Sequence, residues 1–368
     1  MQVAVFGSMG SLGLTQLGRR VLFPFGDSSP NTLIIDPGSS NTRIYHPVRG
    51  LLLSEPSVVA RNSLTSEIVG YGKEAKELLG RTSRFIEVIS PLRNGRIADL
   101  DAAAAMLKFF LHRALPRRLR NPAMIIAVPS AATPLERRAM IIAGKRANAT
   151  DVVLVEQSLM VAVGVGLSIT TATGSVIADI GGGTTEVGVV SFGGLVYSRS
   201  VPVGGLQMDR AIADYLRLKH HVLIGDATAE QIKLEMGSAA PLDRGLHYGV
   251  TGRDLVTGMP RDVSLTDVEI RDILGETLDQ IGAAILSAVE HVPPELLGDI
   301  KDRGIVLSGG ISQLRNIEER VRKATGLPVS VADNPFENVL LGAAKLLRDP
   351  KMLARLSIRE EQTLKRAA

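Results

Sequence analysis

One seven-residue pattern occurs twice, once in each half of the chain, and it constrains the fold more than any other feature. Asp36-Pro37-Gly38-Ser39-Ser40-Asn41-Thr42 and Asp179-Ile180-Gly181-Gly182-Gly183-Thr184-Thr185 both read D-x-G-x-x-x-T. Each follows a short apolar run and precedes a second strand-like run. A tight turn of small residues between two strands exposes successive backbone N–H groups and makes a concave anion site. Ser39, Ser40, Thr184 and Thr185 add hydroxyl donors. An aspartate at a strand end cannot bind phosphate, but it can hold Mg²⁺ through water, so Asp36 and Asp179 are candidate metal residues. One such turn is most often an ordinary hairpin. Two, each opening one half, predict a duplicated α/β body whose turns clamp a nucleotide's phosphates from both sides.

The surrounding pattern agrees with two lobes. A chain of 368 residues, 45% hydrophobic, has enough apolar material for two cores. AMIIAVP and VVLVE read as strands buried on both faces. Helical spacing covers 101–114 and 157–166. Thr133-Pro134-Leu135-Glu136 predicts a helix start with a capping box. Asn94-Gly95 predicts a tight turn. In the second half helices are expected near 206–219, 227–236, 266–291 and 336–348, with a less regular piece before about 264. Alternating strands and helices mean α/β layers. Two further pieces bear on a site. Ser308-Gly309-Gly310 ends a buried strand, where paired glycines allow close backbone approach. Glu230 and Lys233 are three apart on a helix and share a face, as a ligand-binding pair or an ordinary surface ion pair.

Composition excludes several classes. There is no cysteine, which removes disulfides, zinc fingers and thiol nucleophiles and fits a reducing compartment. The net charge of +4 is too small to argue for nucleic acid. No apolar run reaches the roughly 18 residues of a membrane span. In residues 1–30, Arg19 and Arg20 follow the apolar stretch, the wrong order for a secretory signal. This leader reads as a flexible segment, as read-through from a start upstream of Met9, or as a peripheral membrane contact through Leu17, Val21, Leu22, Phe23 and Phe25. Its glycines oppose a helix.

Taken together, these stretches resemble the actin, sugar kinase and heat-shock chaperone ATPase superfamily, and within it the MreB and MreB-like (Mbl) bacterial actins, the rod shape-determining family. The carrying segments include EPSVVA (55–60), VGYGKEAKELLGRT (69–82), ADIGGGTTEVGVVSFGG (178–194), LIGDATAEQIKLEMGSA (223–239) and PPELLGDIKDRGIVLSGG (293–310). The resemblance implies an actin-like ATPase fold: two similar lobes with ribonuclease-H-like α/β cores and two smaller inserted subdomains around a nucleotide cleft. The implied division is 31–170 for the first lobe (insertion about 60–92), 171–341 for the second (insertion about 209–272), and 342–368 for a C-terminal helix returning to the first lobe plus a basic tail. It implies ATP and Mg²⁺ as cofactors. Asp36–Thr42 (Asp36, Gly38, Ser39, Ser40, Asn41, Thr42) would be the first phosphate loop, and Gly181, Gly182, Gly183, Thr184 and Thr185 the second. Gly204 and Gly205 would lie beside the nucleotide, Glu230 and Lys233 at the ribose and adenine, and Ser308, Gly309 and Gly310 in the adenosine loop. Asp179 and Gln157 would be the catalytic pair.

The chain departs from the family pattern at three points. Pro37 removes an N–H in the first loop. Arg43 replaces an apolar residue beside it. Gln157 stands where the family carries the second glutamate of E-E-P, and it can orient water but not act as a base. The implied function is a weakly ATP-hydrolysing filament protein, cytoplasmic and peripheral at the inner membrane, that determines cell shape by organising cell-wall synthesis. Its expected partners are further copies of itself in paired protofilaments, inner membrane lipids and cell-wall elongation proteins. Membrane contact is expected through the leader or through Arg113-Ala-Leu115-Pro-Arg117-Arg118-Leu119-Arg120. The competing expectation is a nucleotide-binding regulator with reduced polymerisation or hydrolysis. A chaperone is disfavoured because no substrate domain follows residue 348, and a sugar kinase because such chains run longer.

Overall fold

The computed structural model describes residues 31–358 apart from 82, 83, 117, 118 and 120. The leader, the tail from 359, and Arg117, Arg118 and Arg120 therefore lie outside the described residues.

Two five-stranded sheets of one topology form the body. The first runs Asp151–Glu156, Ala123–Val128, Thr32–Pro37, Asn41–His46, Gly50–Pro56; the second runs Val329–Val331, Ile305–Ser308, Ser175–Ile180, Thr185–Ser191, Gly194–Val201. In each, the central strand is the one that precedes a D-x-G turn. It pairs antiparallel with the strand after the turn and parallel with a strand that arrives much later. The antiparallel neighbour needs only the tight turn, whereas the parallel neighbours need crossovers, which helices supply. Leu100–Ala114 and Pro134–Arg146 do this in the first sheet, Asp267–Glu290 and Ile317–Thr325 in the second. The central strands Thr32–Pro37, Ala123–Val128 and Ser175–Ile180 are buried along their whole length, as their unbroken apolar runs require.

Local signals set the boundaries. Asp99 caps Leu100–Ala114 by accepting from Ala102 N at 3.0 Å. Thr133 and Glu136 form the expected reciprocal capping box, with Pro134 in the first turn. Asn94 and Gly95 both take positive φ in the hairpin joining Leu92–Arg93 to Arg96–Ile97. Two small three-stranded sheets flank the body. One holds Ile68–Tyr71, Val59–Asn62 and Ile86–Ile89; the other holds Val222–Leu223, His247–Asp254 and Pro260–Thr266. The last two strands correct the expectation of an irregular piece before 264. They present one largely solvated face, so their apolar positions are too sparse to read as strands. The helices Pro294–Arg303 and Pro350–Leu356 were also not anticipated.

The lobes share a core. Ile34, Ile125 and Val153 of the first sheet and Ile177 and Val190 of the second meet Leu159, Met160, Val339, Leu340 and Ala343 in one buried cluster. Those last five lie on two helices, Gln157–Gly164 and Asn338–Leu347. Lys345 Nζ donates to the carbonyls of Val163 and Gly164 at 3.1 and 2.7 Å, satisfying the C-terminus of the first helix from the second. The chain then returns to the first sheet, where Ile358 bridges to Leu154. Among the described residues no helix is long and apolar enough to cross a membrane.

Candidate functional site

The two D-x-G turns face each other across a cavity of about 300 Å³. Their approach is close. A Cβ on Gly182 would lie 2.0 Å from Ser40 Oγ, and one on Gly183 would lie 2.6 Å from Ser39 Oγ. Only glycine leaves room there, so the second turn is shaped by the serines of the first.

Each turn is held from behind. Ser57 Oγ donates to Gly38 O at 2.6 Å, Ser57 N donates to Ser40 O at 2.9 Å, and Thr42 Oγ1 meets Ser57 Oγ at 2.8 Å. Gly95 N donates to Ser39 Oγ at 3.0 Å. In the second turn Gly205 N and Leu206 N, the first amides of helix Gly205–Lys219, donate to Gly181 O and Gly182 O at 3.1 and 2.8 Å. Gly204 is required by contact, since its Cβ would meet Gly181 O at 2.4 Å. Thr185 Oγ1 donates to Val203 O at 2.8 Å. Thr42, Thr185, Gly204 and Ser308 therefore lie behind the cavity wall and support it. Asp36, Gly38, Ser39, Ser40, Asn41, Gln157, Asp179, Gly181, Gly182, Gly183, Thr184, Gly205, Glu230, Lys233, Gly309 and Gly310 line it.

Buried carboxylates sit at the turn end. Asp36 and Asp179 are 5% and 4% exposed. Burial pushes Asp179 up to about 6 against the hydrogen bond from Gln157 Nε2 at 2.6 Å, and the charge of Asp36 adds to the rise. Burial also raises Asp36, opposed by Arg43, whose Nη1 is 3.7 Å from Asp36 Oδ2. Glu186, directly across the strand pair from Asp179, is fully buried. Burial pushes it up to about 7, although Ser200 Oγ and Ser130 N donate to it. Among the described residues no group of three or more acidic or histidine side chains could hold a metal alone. Two carboxylates with open space beside them suit Mg²⁺, which keeps several waters and takes its remaining ligands from phosphates.

These raised values fix a pH dependence. The folded state keeps protons on Asp179 and Glu186 between about pH 4 and 7 that the unfolded chain has released, so their contribution to stability is greatest below that window and is lost as pH rises through it. The melting temperature of nucleotide-free protein is expected to fall between pH 5 and 8, and Glu186→Gln is expected to flatten the upper part of that fall. Equal slopes in parent and variant would contradict the assignment.

The other end of the cavity is less polar. Gly309, at φ +84°, passes so close to the central strand that a Cβ would lie 2.4 Å from Ile180 O. Gly310 packs against the half-exposed ring of Phe336. Ser308 Oγ and Gly309 N both donate to Pro335 O, fixing the loop that carries Phe336. Glu230 and Lys233 do not pair with each other. Lys233 Nζ is buried, 2.7 Å from Asp209 Oδ1 and 3.1 Å from Gly205 O. Glu230 reaches across the cleft mouth to Lys76 Nζ at 2.7 Å. Sequence reasoning missed Asp209, Pro335 and Phe336. Asp209 closes VGGLQMD and could have been flagged as an acid on the helix that follows the second loop; nothing in the sequence places Phe336 here.

A protein-family model described as MreB/Mbl protein matches residues 30–355. The cell shape-determining protein MreB of Escherichia coli strain K12 is 43% identical over 323 residues, 86% of this chain and 93% of that protein. Among solved structures, MreB5 of Spiroplasma citri superposes with a TM-score of 0.82 in complexes with ADP and with AMPPNP, at 33% and 32% identity. The matches cover 87% and 92% of this chain and 97% and 98% of those chains. A MamK double helical filament superposes at 0.71 with 19% identity, covering 87% of this chain and 99% of its own, a likeness of fold. The fold is thus that of the actin-like filament proteins, and the chain belongs to the MreB/Mbl family.

Proposed function

We propose that the protein is an ATP-binding, actin-like filament subunit that acts at the inner membrane face and determines cell shape by organising cell-wall synthesis. The meeting of the two turns, Ser40 against Gly182 and Ser39 against Gly183, carries the reading, because contact that close brings the glycines and hydroxyls of both turns together on the wall of one cavity. The complexes of MreB5 with ADP and AMPPNP support a nucleotide in the same cleft. Asp36 and Asp179 would hold Mg²⁺ through its waters. When bound, the ion would neutralise charge on the phosphates. Gln157 would orient the attacking water, since an amide has no useful proton affinity. Lys233, Glu230, Gly309 and Gly310 would receive the nucleoside. Sedimentation and electron microscopy of purified protein with ATP on anionic vesicles test the whole reading; protein that binds ATP but never sediments would refute the filament role.

One observation favours a second reading, a nucleotide-binding regulator with slow hydrolysis. Gln157 donates to Asp179 at 2.6 Å, so the side chain that would orient the water is tied to a buried carboxylate and has only its second N–H and its carbonyl oxygen for that task. Gln157→Ala is expected to slow turnover about 10- to 100-fold with nucleotide affinity nearly unchanged. Gln157→Glu should stay active. Single-turnover hydrolysis beside equilibrium binding separates the two, and a parent-like rate in Gln157→Ala would remove Gln157 from the mechanism.

Of the two candidates for membrane contact, the leader and the segment 113–120, we favour the second; Leu115 is buried in the core of the first lobe and Arg113 pairs with Glu55 at 3.1 Å, so the contact would rest on the arginines and not on Leu115. Each arginine near an anionic surface contributes about 1 kcal/mol, enough for a filament to bind by avidity. In liposome flotation, deletion of residues 1–30 should leave much of the binding. Replacing Arg117, Arg118 and Arg120 with Ser should reduce it, most clearly at low salt.

A further inference from the structure

Arg43 is the first residue after the first turn, and the strand register sets it opposite Asp36. It lines the cavity together with Asp36, Asp179 and Gln157. Its Nη1 stands 3.7 Å from Asp36 Oδ2 with about a fifth of the side chain exposed. That separation is longer than a hydrogen bond, so the guanidinium fork is not closed on the carboxylate. A guanidinium carries five N–H donors and suits phosphate geometry. Its positive charge also lowers Asp179, so its field covers both buried acids. Without it, the turn end of the cavity would present two buried carboxylates to any anionic ligand and would have only uncharged N–H and O–H donors and a bound metal to attract it.

We propose that Arg43 is a phosphate-binding, specificity-determining residue: its guanidinium engages the phosphates of the nucleotide and gives the site a fixed cation of its own beside the metal. This rests on the nucleotide reading above and adds the residue that selects phosphorylated from unphosphorylated nucleoside. A counter-ion serving only the fold would stabilise Asp36 equally whichever ligand is present. A phosphate anchor instead discriminates among ligands, and does so most when Mg²⁺ is absent.

The test is calorimetric titration of the full chain and of Arg43→Gln with adenosine, ADP and ATP, each with Mg²⁺ and with EDTA. Arg43→Gln is expected to weaken ADP and ATP about 10- to 100-fold in EDTA, less with Mg²⁺, and to leave adenosine unchanged. Arg43→Lys should recover part of the loss, as a point charge replacing a planar fork. Equal ADP and ATP affinities in parent and Arg43→Gln under EDTA, with adenosine bound by both, would overturn the inference and leave the nucleotide reading standing. A parent that binds none of the three ligands would overturn both. Should Arg43→Gln lose adenosine too, Arg43→Lys decides: a loss confined to the phosphorylated ligands supports the inference, and any other pattern overturns it.

Discussion

Asp179→Asn should hydrolyse ATP at least about 100-fold more slowly than the parent while folding more stably without nucleotide. Both effects follow from one buried carboxylate. The side chain is 4% exposed and its pKa is pushed up to about 6, mainly by burial, so holding it charged at pH 7.5 costs on the order of 3 kcal/mol relative to the unfolded chain. The amide is nearly isosteric, is uncharged at every pH, and can still accept from Gln157 through its oxygen. The rate falls because an amide holds the water shell of a divalent ion far more weakly than a carboxylate does, and removing one preorganised electrostatic group costs about 10²–10³. Asp179→Ala should lose the rate equally while also leaving a hole beside Gln157. The measurements are Mg²⁺-dependent phosphate release and thermal melts at pH 5.5 and 8. Parent-like hydrolysis in Asp179→Asn would end the metal assignment. A lower melting temperature for it at pH 8 would mean that Gln157 and the charge of Arg43 outweigh the cost of burying the carboxylate.

Much of this site can be read from sequence because its parts are local. A D-x-G-x-x-x-T turn is seven contiguous residues, and its strand, turn and following strand are near neighbours in the chain. The same holds for the Thr133–Glu136 capping box and the Asn94-Gly95 turn. The Arg43–Asp36 pair is also legible in retrospect, since a tight turn sets the two opposite one another across the ladder. What cannot be read is what tertiary packing brings together. Ser57 pins the first turn from the bend just after strand Gly50–Pro56, Lys76 meets Glu230 across the cleft mouth, and Phe336 closes the wall beside Gly310. The hairpin of His247–Asp254 and Pro260–Thr266 was missed for a related reason. With most of its side chains in water, its strand state is set by backbone pairing and a few contacts rather than by apolar alternation.

The joint between the lobes sets up the second large effect, one that propensity alone predicts with the wrong sign. Gly342 lies inside helix Asn338–Leu347, where alanine is intrinsically favoured over glycine by about 1 kcal/mol. Yet a Cβ at 342 would stand 1.7 Å from Met160 O, and one at Gly164 would stand 2.1 Å from Asn338 O. The two helices cross backbone to backbone at these glycines, and neither obstacle is a flexible side chain that could move aside. Gly342→Ala is therefore expected to destabilise by about 3 kcal/mol or more, because the helices must separate and open the shared core around Met160, Leu340 and Ala343. Gly275→Ala is the matched control. It sits within helix Asp267–Glu290, its added Cβ would meet nothing within 4 Å, and it should stabilise by about 0.5–1 kcal/mol. Urea denaturation of the two variants gives the comparison directly. In the proposed mechanism the crossing also bears on hydrolysis, since the helix that Gly342 presses against begins at Gln157, the residue bonded to Asp179. A Gly342→Ala protein that still folds at low temperature should thus lose hydrolysis well before it loses nucleotide affinity. Stability equal to or above the parent would mean that the helices can part without cost, and that the lobes are joined elsewhere.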